Sequence, residues 1–203
     1  MPYIEYIKRE AQRRGLVEKM GQMVDPQTRK ADRGQECEQA ILGRCIIGRA
    51  ERMPVPADRT SETYQKAKHE LFGFARTHQP IESERDEENV AKEIESMIAT
   101  KLKENNLDIG EVRFYTAVGT PLDYQCGVDG WVEITNQDNK KELITFDLKT
   151  GSHANSSIQA DIILKLDLKD DGFTARETLN ELFRFTNEVV DVYKERVSLN
   201  GQY

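Results

Sequence analysis

The stretch that decides the fold is residues 126–151, CGVDGWVEITNQDNKKELITFDLKTG. Its apolar and β-branched residues fall in two runs separated by seven polar residues, Thr135 to Lys141. Asn136, Asp138 and Asn139 in the polar segment are typical turn formers. The pattern therefore predicts a β-hairpin. The residues predicted to form its strands are Val128, Trp131, Val132 and Ile134, then Leu143, Ile144, Phe146 and Leu148.

Two acids and one amine accompany this hairpin. Asp129 stands between Gly127 and Gly130, and Asp147 and Lys149 are separated by one residue. Because side chains alternate across a strand, Asp147 and Lys149 are expected on the same face. If the strands pair, Asp129 lies beside them.

Crowded carboxylates repel each other unless a proton or a cation joins them. Oxygen ligands of this kind suit Mg²⁺ or Mn²⁺. Such a metal polarises a phosphoryl oxygen and lowers the pKa of a bound water, and a neighbouring lysine orients that water. The residues thus predict metal-assisted phosphodiester hydrolysis. The alternative is a surface hairpin in which Asp147 and Lys149 form an ordinary salt bridge.

The segments GVDG (127–130) and FDLKTG (146–151) resemble the core of the PD-(D/E)XK nuclease superfamily, most closely its RecB-like and phage exonuclease-like branch. The resemblance covers about Glu84 to Leu168. It implies an α/β, restriction-endonuclease-like mixed sheet of four or more strands flanked by helices. It also implies a metal-dependent deoxyribonuclease in which Asp129 and Asp147 bind Mg²⁺ and Lys149 orients the attacking water.

In this family an acidic residue on the helix before the first strand commonly completes the metal site. Glu95 fits that role best because it flanks the apolar stripe of its helix, and Glu38 is the alternative. Asp123 lies six residues before Asp129 and shortly after a proline, so it is a second candidate for the motif aspartate. Asp129 is preferred because Gly-Val-Asp is predicted to lie inside the strand that pairs with the Asp147 strand.

The residues after the hairpin are expected to contact substrate. Thr150 and His153 follow the lysine closely enough to approach a phosphate. The resemblance implies a glutamine about ten residues after the lysine, which Gln159 matches. A tyrosine is expected four residues later in that branch, and Ile163 stands there instead.

Hydrophobic periodicity and capping residues predict the remaining elements. Residues 158–170 fit a strand or a helix equally well, and Gly119 to Asp123 is predicted to be a turn. The other predicted elements are helices over Tyr3–Val24, Ala31–Met53, Ser61–Thr77, Asn89–Glu104 and Thr174–Val197 and a strand over Glu111–Val118.

The polar segment 79–89 predicts a boundary between an N-terminal helical region, 1–83, and a nuclease-like catalytic core, 84–203. The first region holds 15 Lys and Arg against 12 Asp and Glu, and the second holds 14 against 24. Phosphate contacts are therefore expected mainly from the first region, whose helices are also candidate surfaces for a protein partner or a homo-oligomer.

Three cysteines without CxxC spacing, no apolar leader and no long apolar run predict a cytoplasmic protein without a membrane span. The function expected is a Mg²⁺- or Mn²⁺-dependent nuclease acting on DNA. The net charge of −7 favours the alternative, a non-catalytic nucleic-acid- or protein-binding module on the same fold. A third hypothesis is a small structural protein with an ordinary surface hairpin.

Overall fold

The computed structural model describes residues 39, 42–45, 55–80, 90–150, 160–166 and 175–199. These residues form an α/β unit with a four-stranded mixed sheet flanked by helices. Over these ranges, no helix has the length and apolar character needed to cross a membrane. The elements are α1 Glu62–Thr77, α2 Val90–Glu104, β1 Ile109–Thr116, α3 Pro121–Cys126, β2 Gly130–Asn136, β3 Lys141–Thr150, β4 Ile162–Leu166 and α4 Ala175–Leu199.

The predicted hairpin is confirmed. The strand order is β1-β2-β3-β4; the first three strands are antiparallel, and β4 runs parallel to β3. Gly130 pairs with Thr116 on one side and with Phe146 on the other. The ambiguous segment 158–170 contains a strand over Ile162–Leu166, because its alternating apolar residues pair alongside β3.

One face of the sheet carries the main apolar core. Even-numbered residues of β2 and β3 point to this face, where α2 and α4 cover them. Phe146 contacts Phe114 and Phe185, with ring centroids 5.1 and 5.2 Å away. The stripe of α2 that the sequence predicts is buried here, including Ile94, Ile98 and Leu102.

The opposite face is covered by α1 and α3. Trp131 is fully buried there, stacked on Tyr115 and met edge-on by Phe72 of α1. Tyr64 hydrogen-bonds Cys126 at the end of α3, and burial, with that bond, raises the pKa of Tyr64 to about 12. Helix α1 therefore runs above β2, with its first turn near the hairpin's acidic end.

Local capping explains the two helices on this face. Ser61 accepts a hydrogen bond from the Tyr64 N–H and begins α1, as the sequence predicts. The predicted turn over Gly119 to Asp123 is wrong in part, because Thr120 caps a short helix with Pro121 at its first position. Gly127, with a φ of 62°, ends that helix in the left-handed conformation.

Residues from the predicted N-terminal region complete the free edge of β1. The Gln79 side-chain amide donates to the Thr116 carbonyl and accepts from the Thr116 N–H, at 2.8 and 3.0 Å. The Cys45 N–H donates to the Val118 carbonyl at 3.1 Å. The described part of residues 1–83 thus packs directly on the sheet. The first two predicted helices lie almost wholly outside the described residues, and so does Thr174, the predicted first residue of the last helix.

Candidate active site

Asp129 is held at the point where β2 begins. Its main-chain N–H donates to the Phe146 carbonyl at 3.0 Å, and its carbonyl accepts from Ala117 at 2.7 Å. Its carboxylate accepts the Leu148 N–H at 2.6 Å and is only 4% exposed. The prediction that Gly-Val-Asp lies within the strand is wrong, because β2 begins at Gly130. The Asp129 side chain instead continues the hydrogen bonding to β3.

Asp147 and Lys149 lie on the same face of β3, and the Lys149 ammonium is 2.8 Å from the Asp147 carboxylate. Strand alternation produces this pairing, as the sequence predicts. Asp147 is 4% exposed, whereas the Lys149 side chain remains 29% exposed. The pair therefore presents its cation toward solvent and keeps its carboxylate inside.

Asp123 joins this group, although the sequence favours Asp129 over it as the motif aspartate. Its carboxylate accepts the Gly119 N–H at 2.9 Å, and its side chain also hydrogen-bonds Asp129. The charges of Asp147 and Lys149 act on it as well. The signal in the sequence was Thr120-Pro121, which starts a helix and places Asp123 in its first turn. We name Asp123, Asp129, Asp147 and Lys149 the acidic cluster.

The electrostatics of the cluster favour a retained proton. Burial raises the pKa of Asp123 above its ordinary value, and the negative charge of Asp147 raises it as well. The Gly119 N–H, the Asp129 bond and the Lys149 charge act in the opposite direction. A hydrogen bond between two carboxyl groups requires that one of them carry a proton. The cluster thus has the repulsion that a proton or a cation relieves.

Glu95 contacts the backbone of β1. Its carboxylate accepts the Phe114 N–H at 2.6 Å. Phe114 lies three residues before Ala117, the residue that bonds Asp129, which corresponds to roughly 10 Å along the strand. The structure brings Asp123 beside the two predicted aspartates, and the role of Glu95 as a metal ligand stays a prediction.

The other predicted site residues have no described side chains. Glu38, His153 and Gln159 lie outside the described residues. Thr150 ends β3, and only its backbone is described. Their proposed roles stay predictions.

Carboxylate oxygens at the open end of the β2–β3 hairpin are the ligand type that a hard divalent cation prefers. Within the described part of the chain, however, no three Asp, Glu, His or Cys side chains are arranged to hold a metal ion together. Asp123, Asp129 and Asp147 direct oxygens to Gly119, Leu148 and Lys149, respectively. A carboxylate has two oxygens with several acceptor positions, so these contacts leave further acceptor capacity.

Comparison with known proteins assigns no function to the acidic cluster. No protein-family model, curated protein or solved structure matches this chain.

Proposed function

We propose that this protein is a metal-dependent nuclease that hydrolyses DNA phosphodiester bonds. The observation that carries the proposal is the acidic cluster: three carboxyl groups and one ammonium converge on one sheet face from α3, the start of β2 and the end of β3. The order of helix, strand, acidic hairpin and parallel strand supports the finer assignment to a restriction-endonuclease-like fold.

The proposed ligands of Mg²⁺ or Mn²⁺ are Asp129 and Asp147, with Asp123 as the third acid. A bound divalent ion would supply the Lewis-acid charge that stabilises a pentavalent phosphorane-like transition state. Asp147 holds the Lys149 ammonium in place through the 2.8 Å ion pair. Because Lys149 is partly exposed, its ammonium is placed to orient a water and to meet a phosphate oxygen.

The test is cleavage of linear, nicked and single-stranded DNA by the purified chain with Mg²⁺ or Mn²⁺. Lys149→Ala is expected to lower kcat by a factor of about 100 or more, since it removes a charge placed for the transition state. Lys140→Ala is the matched control, because Lys140 is an exposed lysine in the turn between β2 and β3. Its cleavage rate should equal that of the wild type.

Two results would contradict the proposal: no cleavage by the wild type with either metal, or equal cleavage by the wild type and Lys149→Ala. DNA binding by a wild type that does not cleave would favour the alternative, a non-catalytic binding module on the same fold. That alternative rests on the net charge of −7. An intact Asp-x-Lys pair argues for catalysis, because a binding module has no need of a buried carboxylate held against a lysine.

A further inference from the structure

Helix α1 covers only part of its sheet face. Its contacts with the sheet include β1 and β2: Arg76 lies over the Tyr115 ring and pairs with Glu133, and Phe72 meets Trp131. The neighbouring strand β3 is left with a groove alongside it. The groove has a volume of about 300 Å³.

Residues of α1, β3 and α4 line this groove, together with Asp161, which directly precedes β4. Strand β3 contributes Leu143 and Thr145, and α4 contributes Arg196. The α1 side chains that line it are Gln65, Lys68, His69 and Phe72.

The Asp161 part of the lining is rigid and nearly neutral. Asp161 accepts both the N–H and the hydroxyl of Thr145 at 2.8 Å. Arg196 pairs with Asp161 at 2.5 Å and donates to the Leu143 carbonyl at 2.5 Å. Arg196 thereby compensates the negative charge of Asp161, so Asp161 repels an anion in the groove only weakly.

The α1 side of the groove is cationic and aromatic. Lys68 is half-buried, and it forms no ion pair with any described carboxylate. The half-buried ring of Phe72 offers an apolar surface beside it. A cation next to an aromatic ring is the combination that binds the backbone and the base of single-stranded nucleic acid.

The groove and the acidic cluster are neighbours along β3. Thr145 and Asp147 are two residues apart on the same face of β3, which corresponds to roughly 7 Å. A phosphodiester at Asp147 and Lys149 therefore has its adjoining nucleotide at the level of Thr145. The groove volume is at the lower end of ligand-pocket sizes, about 300–1,000 Å³, and admits one nucleotide rather than a base pair.

We infer that this groove binds the nucleotide next to the scissile phosphate of single-stranded DNA, with Lys68 on the phosphate and Phe72 against the base. The inference rests on the proposed nuclease function and adds its substrate class. It assigns α1, from the less acidic first region of the chain, a direct part in holding substrate.

The test measures binding of fluorescent oligothymidine to the full chain by anisotropy, without divalent cations so that nothing is cleaved. Lys68→Ala is expected to weaken binding about tenfold at low salt and to reduce the slope of log K against log salt by about 0.7. Lys66→Ala is the matched control, because Lys66 is an exposed lysine on the same helix that does not line the groove. Equal effects of the two variants, or none, would overturn the inference.

A second arm compares the single strand with a blunt duplex of the same sequence. Tighter binding of the single strand is expected, and equal or tighter binding of the duplex would overturn the assignment. The two proposals fail separately. Cleavage by the wild type with an unchanged KM for Lys68→Ala defeats the groove alone, whereas a Lys68-dependent affinity without any cleavage defeats the nuclease alone.

Discussion

The side chains of Asp123 and Asp129 share a hydrogen bond although Asp123 lies in α3 and Asp129 directly precedes β2. Helix α3 turns the chain so that Asp123 returns over the residue that begins the hairpin. Two carboxyl groups at hydrogen-bonding distance cannot both be ionised without a cost.

Asp123→Asn should stabilise the protein increasingly as the pH rises. The folded state binds the Asp123 proton more tightly than the unfolded state, because its pKa is raised from the ordinary 3.8. The stability this provides is complete below 3.8 and is lost as the pH rises through the folded pKa. Asparagine has no proton to lose and stays neutral as the pH rises. Thermal unfolding measured between pH 4 and 8 should show the Tm of the variant rising relative to that of the wild type as the pH increases. Each kcal/mol of added stability should raise the Tm by about 2–4 °C.

The exposed turn residue Asp138 provides the control for this measurement. Asp138→Asn should follow the wild-type pH profile. A constant Tm difference between Asp123→Asn and the wild type across the range would contradict the raised pKa.

Mn²⁺ or Mg²⁺ should raise the Tm of the wild type at pH 7.5, because a cation relieves the repulsion within the acidic cluster. A ligand at 100 times its Kd stabilises the folded state by about 2.7 kcal/mol. Asp147→Asn should lose most of this shift, whereas Asp138→Asn should retain it. Differential scanning fluorimetry with and without EDTA measures both, independently of any cleavage. A shift of equal size in the two variants would place the cation elsewhere.

Gly130→Ala and Gly73→Ala should have opposite effects on stability. A Cβ at Gly130 would overlap Phe146 Cζ and lie 2.6 Å from the Tyr115 carbonyl, so the sheet must distort. We expect a loss of about 2–3 kcal/mol. A Cβ at Gly73, within α1, meets nothing within 4 Å, so alanine should gain about 0.5–1 kcal/mol of helix stability. Urea unfolding compares the two, and equal losses would contradict the packing described.

Arg76→Ala should destabilise the fold more than Arg113→Ala. Arg76 pairs with the carboxylate of Glu133, whose side chain is 3% exposed and whose other described ionic partner is Lys141, at 2.8 Å. Arg113 pairs with Glu111, and both of those side chains are more than half exposed. We expect about 1–2 kcal/mol for Arg76 and less than about 0.5 kcal/mol for Arg113. Urea unfolding at low and high salt checks the order, and a reversed order would contradict the burial of Glu133.

The sequence by itself determined the hairpin and the shared face of Asp147 and Lys149. Both follow from local rules: a polar turn between apolar runs, and side chains that alternate along a strand. It also determined α1 and α2 closely, because capping residues and apolar stripes act over a few neighbouring residues. The segment at Ile162–Leu166 was undecided, since its pattern fits both periods and only pairing with β3 selects the strand.

Only the tertiary structure decided which acids meet. Asp123 enters the cluster because α3 folds back over the start of β2, a geometry that no spacing between Asp123 and Asp129 encodes. Glu95 accepts the Phe114 N–H, because β1 is an edge strand and a backbone N–H on its outer side needs an acceptor. The groove likewise arises from how α1 lies across the sheet, with β1 and β2 covered and β3 beside the opening. These outcomes depend on packing between distant segments, for which local pattern carries no information.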